Sequence, residues 1–156
     1  MSKHFAKMIM VLAIGSLCVS AQVARADAFC DSLKTVLAAP MGLQSYRCCE
    51  TKSDTGHISW GSTIKIPGAT YCTIDVTNTG SDSYRREFPA AKWMDKVAMK
   101  SRGDAIVACV PGTKQVMDDK IMNRYEATLS DGHKAAFSIF GRMMSVATVI
   151  QIDRTE

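Results

Sequence analysis

The sequence predicts an α+β domain in which two helices pack on one face of an antiparallel sheet. Two apolar segments with helical spacing, near residues 30 and 100, are separated by segments in which apolar and polar residues alternate. Short turn signals, such as Pro67-Gly68 and Ser130-Asp131-Gly132, divide the alternating segments into strands. Because each half runs from a helix to three strands, the sequence also suggests a duplicated αβββ unit.

The first 26 residues have the layout of a secretory signal peptide. Lys3 and Lys7 form a basic start, Met8–Val19 is an apolar run, and Ala24-Arg25-Ala26 places small residues at the −3 and −1 positions of a cleavage site. The apolar run is too short to span a bilayer, which takes about 20 residues. We therefore expect a signal peptide over 1–26, a single α+β domain over 27–156, and a periplasmic or secreted protein without a stable membrane span.

The charge of the exported chain argues against nucleic acid as a partner. Removing Lys3, Lys7 and Arg25 from the 19 Lys and Arg residues leaves 16, against 15 Asp and Glu residues. The basic character of the whole chain therefore belongs mostly to the targeting segment. A near-neutral domain lacks the basic footprint that phosphate contacts need.

The first half is expected to contain one helix and four strands. Phe29, Leu33, Val36 and Leu37 fall on one helical face, and Pro40 follows the helix. The strands are recognised by alternation or by turn residues on both sides, and Tyr84–Phe88 is expected to be a short edge strand. The expected elements are a helix over Phe29–Ala39 and strands over Ser45–Thr51, His57–Ile66, Tyr71–Thr77 and Tyr84–Phe88.

The second half begins with apolar residues at helical spacing over Ala90–Val110. Gly103 interrupts this segment, so it predicts either one kinked helix or two short ones. We expect Trp93 and Val97 to cover Trp60, Ile64 and Ile66. Alternating residues then predict three strands, which run from Ile121 to Leu129, from Ala135 to Ile139 and from Val146 to Ile152.

Five cysteines remain after signal cleavage, and an odd count leaves one without an intramolecular partner. Cys30 and Cys109 lie on the two predicted helices and are expected to pair. Strand alternation places Cys48 inward and Cys49 outward. Cys48 could then reach Cys72, provided that their strands are neighbours. Cys49 is expected to be a free thiol or to link two chains in a disulfide-bonded dimer.

The sequence contains none of the compact motifs that indicate catalysis, which leaves open only a dispersed site of carboxylates such as Glu50, Asp75, Asp118 and Asp119. It contains no GxSxG, no CxxC and no Gly-rich phosphate loop, so no catalytic residue and no cofactor is expected. His57 and His133 follow similar turns and are weak candidates for metal ligands. Methionine thioethers would suit Cu(I), although single histidines in turns and scattered methionines more often serve as solvated or core residues.

An export signal, one small domain and no reactive motif favour a protein-binding module over an enzyme. In these general features the chain is similar to many small bacterial envelope proteins, which include short lysozyme inhibitors and immunity proteins. This similarity implies an inhibitor or immunity-type protein whose partner is another envelope or secreted protein. The alternative is periplasmic handling of copper or zinc through Met, His and Cys side chains.

Overall fold

The computed structural model describes residues 26–41, 43–54, 57–77, 82–143 and 146–155. Residues 26–38 form helix α1, and a 3-10 turn follows at Gln44–Tyr46. A second helix, α2, spans Lys96–Cys109. The eight strands are β1 (Arg47–Asp54), β2 (His57–Ser62), β3 (Tyr71–Thr77), β4 (Asp82–Pro89), β5 (Lys114–Asp118), β6 (Met122–Thr128), β7 (Lys134–Arg142) and β8 (Ala147–Thr155).

All eight strands belong to one antiparallel sheet, with the order β1-β2-β3-β4-β8-β7-β6-β5. Two four-stranded meanders are therefore joined where β4 pairs with β8, from Ser83 opposite Asp153 to Pro89 opposite Ala147. The prediction that Tyr84–Phe88 forms an edge strand is wrong, because these residues belong to β4, which lies in the middle of the sheet. The expected α+β class is consistent with this architecture.

Each helix is followed by four strands, whereas the suggested αβββ unit has three and the second half was expected to have three. The additional strand of the second half is β5, in which all five residues are exposed. Such a strand shows no alternation of buried and exposed residues, so its sequence carries no periodic signal. The strand expected over Tyr71–Thr77 is confirmed as β3.

The hydrophobic core combines both helices with alternate positions of the central strands. Its fully buried members include Leu33 and Val36 of α1 and Met99 and Ile106 of α2. Those helical residues belong to the same cluster as side chains of β3, β4, β7 and β8: Ile74, Tyr84, Phe88, Phe137, Ile139, Ile150 and Ile152. Burying such apolar surface is the main favourable contribution to folding.

Helix α2 presents a different face from the one expected. It begins at Lys96, where the Asp95 carboxylate accepts a hydrogen bond from the backbone N–H of Ala98 at 3.1 Å and caps the first turn. Because the helix does not start at Ala90, Val97 is 80% exposed and Trp93 is 45% exposed. The expected packing of these two residues over Trp60 is therefore wrong, and Trp60 is half-buried.

The carboxyl end of α1 is fixed to the sheet by Arg154 of β8. Its guanidinium donates hydrogen bonds to the backbone carbonyls of Ala39 and Pro40, which lie beyond the last turn of the helix. A cation at this position satisfies carbonyl groups that have no partner within the helix and complements the helix dipole. Among the residues that the structure describes, no helix is long and apolar enough to cross a membrane.

Gly103 provides a test of how α2 packs on the sheet. A Cβ atom at this position would overlap the ring of Tyr125, which is 3% exposed and cannot move aside without disturbing β6. We expect Gly103→Ala to lower the free energy of unfolding by about 1–3 kcal/mol, although alanine favours a helix. Urea unfolding measures this change. Ser101→Ala, at an exposed position of the same helix, should change it by less than about 0.5 kcal/mol, and a stabilising Gly103→Ala would contradict this packing.

Candidate binding surface on the sheet

Polar side chains form a row linked by hydrogen bonds and one ion pair across four neighbouring strands, β2, β3, β4 and β8. The Ser59 hydroxyl donates to the Asp75 carboxylate at 2.5 Å, and the Arg85 guanidinium lies 3.4 Å from the same carboxylate. Arg85 donates to the Gln151 side-chain oxygen at 3.1 Å, and the Gln151 amide donates to Asp153 at 3.1 Å. We call these five residues the polar row.

The polar row occupies the strand positions that alternate with the core positions. Asp75 directly follows Ile74 of the core, and Arg85 directly follows Tyr84. Since successive side chains of a strand point to opposite faces, the polar row lies on the face opposite to the core residues of the same strands. We call that face the polar face of the sheet.

Two further ion pairs extend the polar face towards its other strands. Arg124 and Glu126 of β6 lie 3.2 Å apart, and Arg142 of β7 pairs with Glu87 of β4. Arg124 and Glu126 are both partly exposed, so their pair adds little to stability in water, whereas the Glu87 side chain is only 8% exposed. Most charged side chains of this face therefore lie beside a side chain of opposite charge within the protein.

A cavity of about 770 Å³ opens on the polar face between β5, β6, β7 and β8. Its lining includes the ion-paired Arg124 and Glu126, together with Asp153 at the end of the polar row. Lys114 and Lys134 also line it, and both are exposed. In the described part of the chain, neither lysine has an ion pair or a side-chain hydrogen bond. The cavity therefore holds two unpaired lysines, and its lining carries three cations against the two carboxylates of Glu126 and Asp153, a net charge of +1.

Arg86 is a buried cation that does not belong to the polar face. It lies on β4 between the core residues Tyr84 and Phe88, is fully buried, and stacks over the Tyr84 ring at 4.3 Å. None of its three guanidinium nitrogens has a hydrogen-bond partner among the described residues. Burial lowers the pKa of Arg86 to about 9. Because this side chain is closed off from solvent, we treat it as a determinant of stability rather than as a binding residue.

Of the expected disulfide candidates, Cys30 of α1 and Cys109 of α2 are joined by a disulfide. Cys48 and Cys72 are free thiols, and no bridge connects them. Strand β2 lies between the strands of these two residues, so the condition for that bridge is not met. Cys72 is half-buried, and burial raises the pKa of its thiol.

Cys48 and Cys49 lie side by side instead of on opposite faces. Arg47 pairs with Ser62 and Glu50 with Trp60, so two residues of β1 stand opposite the single residue Gly61. This is a β-bulge, which suspends the alternation of faces. Both thiols are exposed, with their sulfurs 3.3 Å apart. The inward placement expected for Cys48 is therefore wrong, whereas Cys49 is exposed as expected.

Contact with the Cys48 sulfur affects the acidity of Cys49. The pKa of the Cys49 thiol lies above its usual value, chiefly because it shares a hydrogen bond with the Cys48 thiol, and further because charge on one sulfur disfavours charge on the other. This contact favours the protonated form of Cys49. Its stabilising contribution is present below the usual thiol pKa and is lost as the pH rises through the raised value.

The two histidines do not form a metal site in the described part of the chain. His133 lies in the turn between β6 and β7, where its backbone N–H donates to the Asp131 carboxylate at 3.0 Å. His57 begins β2, but its side chain lies outside the described residues. No group of three or more His, Cys, Asp or Glu side chains comes together among the residues described.

Sequence reasoning did not identify the polar row or the cavity. A signal existed, because Ser59, Asp75, Arg85 and Gln151 are polar residues at the positions that alternate with the apolar ones. Their connection could not be derived without the register of β4 against β8, which places Arg85 opposite Gln151. Comparison of the chain with protein-family models, with curated proteins and with solved structures found no match.

Proposed function

We propose that the chain is a small exported, non-catalytic binding module that docks another envelope or secreted protein on the polar face of its sheet, as an inhibitor or an immunity-type protein would. The observation that carries the proposal is the cavity on this face with the unpaired cations Lys114 and Lys134. A cavity with two unpaired lysines and a net positive charge is suited to a partner of complementary charge.

The arrangement of the helices supports the choice of this face. In our proposal, α1 and α2 both pack on the core face, and the Cys30–Cys109 disulfide holds them side by side. Ser59, Asp75 and Glu87 of the polar face are themselves buried, so a partner would reach this face at the cavity among β5 to β8. We further propose that α1 with β1–β4 and α2 with β5–β8 are copies of one unit, joined through β4 and β8.

The chemistry of the cavity indicates which part of a partner it would accept. Arg124 is paired with Glu126, and Asp153 accepts a hydrogen bond from Gln151, so these groups are already engaged. Lys114 and Lys134 remain for the partner. A protein loop that carries Asp or Glu side chains would place carboxylates between the two ammonium groups, where charge-assisted hydrogen bonds are stronger than neutral ones.

Reversing both cavity charges should abolish most of the binding. We expect Lys114→Glu/Lys134→Glu to weaken the complex by roughly 10–100-fold, or about 1.4–2.7 kcal/mol, because the acidic loop would face like charges. Partners are first captured from an envelope extract on the immobilised protein. Each captured protein is then purified, and its affinity for both forms is measured by titration calorimetry.

A matched control carries the same change in net charge away from the cavity. Lys34→Glu/Lys92→Glu alters two exposed lysines, one on α1 and one between β4 and α2, neither of which has an ion pair among the described residues, and should bind as the unchanged protein does. Equal affinity for the cavity variant and the unchanged protein would refute docking in the cavity. Equal loss in both variants would show that only long-range charge matters.

Metal handling is the second candidate, and the adjacent thiols of Cys48 and Cys49 are the observation that favours it. Thiolates are soft ligands that suit Cu(I) and Zn(II), but a tetrahedral zinc site takes four ligands, so further donors would have to join. Dialysis against Cu(I) and against Zn(II) separates the two candidates. Metal retained in a one-to-one ratio, and lost in Cys48→Ser, would favour metal handling over protein binding.

A further inference from the structure

Cys48 and Cys49 form an exposed dithiol at the outer edge of the sheet. Strand β1 is an edge strand, and its bulge directs both sulfurs to the same place, 3.3 Å apart. The opposite residue is Gly61. A Cβ atom there would come within 2.6 Å of the Cys48 sulfur and 3.0 Å of the Cys49 sulfur. The absence of a side chain at residue 61 therefore provides the space in which the two sulfurs meet.

We propose that Cys48 and Cys49 are a covalent modification site that reacts with low-molecular-weight disulfides and closes into a disulfide between adjacent residues. The site lies at the β1 edge, whereas the cavity lies among β5 to β8 at the other end of the sheet. The proposal is thus independent of the binding function proposed above, and the failure of one leaves the other standing.

The reaction is two successive thiol–disulfide exchanges. One cysteine loses its proton to solvent, and its thiolate attacks the donor disulfide, forming a mixed disulfide and releasing one donor thiolate. The second cysteine then loses its proton and attacks the sulfur of the first, which breaks the mixed bond and releases the other donor thiolate. The two cysteines lose two electrons and two protons in total, and the donor disulfide becomes two thiols.

Ring closure should outrun the formation of a disulfide-linked dimer. The second thiol is already in contact with the first sulfur, so its effective concentration far exceeds that of any thiol on another molecule. Cys72 cannot take this role, because it is half-buried on β3 and separated from β1 by β2. The intermolecular bond expected for Cys49 becomes the competing outcome of the test.

The disulfide formed here should be easily reduced. The Cα atoms of adjacent residues are about 3.8 Å apart across a trans peptide, which is below the usual range of about 4.4–6.8 Å for a disulfide. A bridge outside that range is strained, and a strained, exposed bridge has a more oxidising potential than a structural one. The Cys30–Cys109 bridge joins two helices and lies against the core, so the two bridges should respond differently to reductant.

The probe for the test is oxidised glutathione, applied to the folded protein with Cys72→Ser as the common background. Intact-mass and peptide measurements should show that the chain with both thiols loses two hydrogens and retains no glutathione. Cys48→Ser and Cys49→Ser should each retain one glutathione, because no second thiol is present to displace it. Reduced glutathione should then reopen the new bridge at concentrations that leave Cys30–Cys109 intact.

Gly61→Ala serves as a geometric control, since it keeps both thiols but forces their sulfurs apart. Ring closure should slow by roughly tenfold or more, so that the mixed disulfide accumulates. Should Gly61→Ala fail to fold, the two single-cysteine variants still decide the question. The proposal is overturned if the chain with both thiols retains glutathione as the single variants do, if it does not react, or if it forms mainly disulfide-linked dimers at micromolar concentration.

Discussion

Removing the Cys30–Cys109 disulfide should lower the free energy of unfolding by about 4 kcal/mol. The bridge joins α1 to α2 across 79 residues of sequence. In the chain-entropy description, a loop of this length restricts the unfolded chain by an amount equivalent to about 4–5 kcal/mol, and native bridges typically contribute 2–5 kcal/mol. Without it, α1 is held by packing, by Arg154 and by the hydrogen bond from the Ser32 hydroxyl to the Lys65 carbonyl.

The measurement compares Cys30→Ala/Cys109→Ala with the unchanged protein in urea and on heating. For a chain of this size the midpoint temperature should fall by roughly 10–20 °C. Treating the unchanged protein with a reductant should reproduce this loss and should leave the double variant unaffected. A midpoint that reduction shifts by less than about 1 °C would mean that the bridge does not constrain the unfolded chain.

The pairing of Cys30 with Cys109 shows which features of the fold can be predicted from the sequence. Cys30 and Cys109 were placed on two helices by apolar spacing alone, and helices that cover a common core lie side by side. Strand β3 could be predicted equally well, because Cys72, Ile74 and Val76 alternate with polar residues and turn residues flank the segment on both sides. In both cases a periodic pattern over several residues carried the information.

The dithiol could not be predicted because a bulge breaks the period on which the prediction relied. Strict alternation separates Cys48 from Cys49, and one additional residue in β1 brings them together. The only hint in the sequence is Gly61, the residue of β2 without a side chain, and it acquires meaning only once the register is known.

Long-range pairing limited the prediction of the binding surface in the same way. The polar row depends on β4 lying beside β8, and their paired residues Arg85 and Gln151 are 66 positions apart. No local pattern specifies this neighbour. The start of α2 could have been predicted from Asp95, because Asp is a favoured capping residue. The apolar residues Trp93 and Met94 before it, however, fit a helical pattern that begins earlier.

Replacing Arg86 by methionine should stabilise the protein by about 1–4 kcal/mol. The guanidinium is fully buried without a hydrogen-bond partner among the described residues, and burial lowers its pKa to about 9. That shift corresponds to a penalty of roughly 4–5 kcal/mol for the charged form at neutral pH. Stacking on Tyr84 offsets part of it, by about 2 kcal/mol. Methionine fills similar space without a charge, and such replacements of buried ions are often stabilising.

The pH dependence of the stability gain distinguishes the removal of a buried charge from an improvement in packing. Below pH 9 Arg86 is charged in both states, so the full penalty applies and the gain from Arg86→Met should be constant. Above pH 9 the Arg86 guanidinium loses its proton in the folded protein but keeps it in the unfolded chain. The unchanged protein then gains stability from this group, and the difference between the two proteins should shrink.

Arg154→Met provides the matched comparison, because Arg154 is also a buried arginine of the central strands but donates to the carbonyls that end α1. Its replacement removes the guanidinium donor from both carbonyls, although that of Pro40 keeps the Leu43 N–H, and should therefore destabilise, by about 1–3 kcal/mol. Urea unfolding of both variants between pH 7 and 10 checks the two signs together. If both substitutions destabilise, Arg86 must contribute through its stacking on Tyr84 more than its burial costs. A gain at Arg86 with a loss at Arg154 would show that hydrogen bonding, rather than burial alone, decides whether this core tolerates a cation.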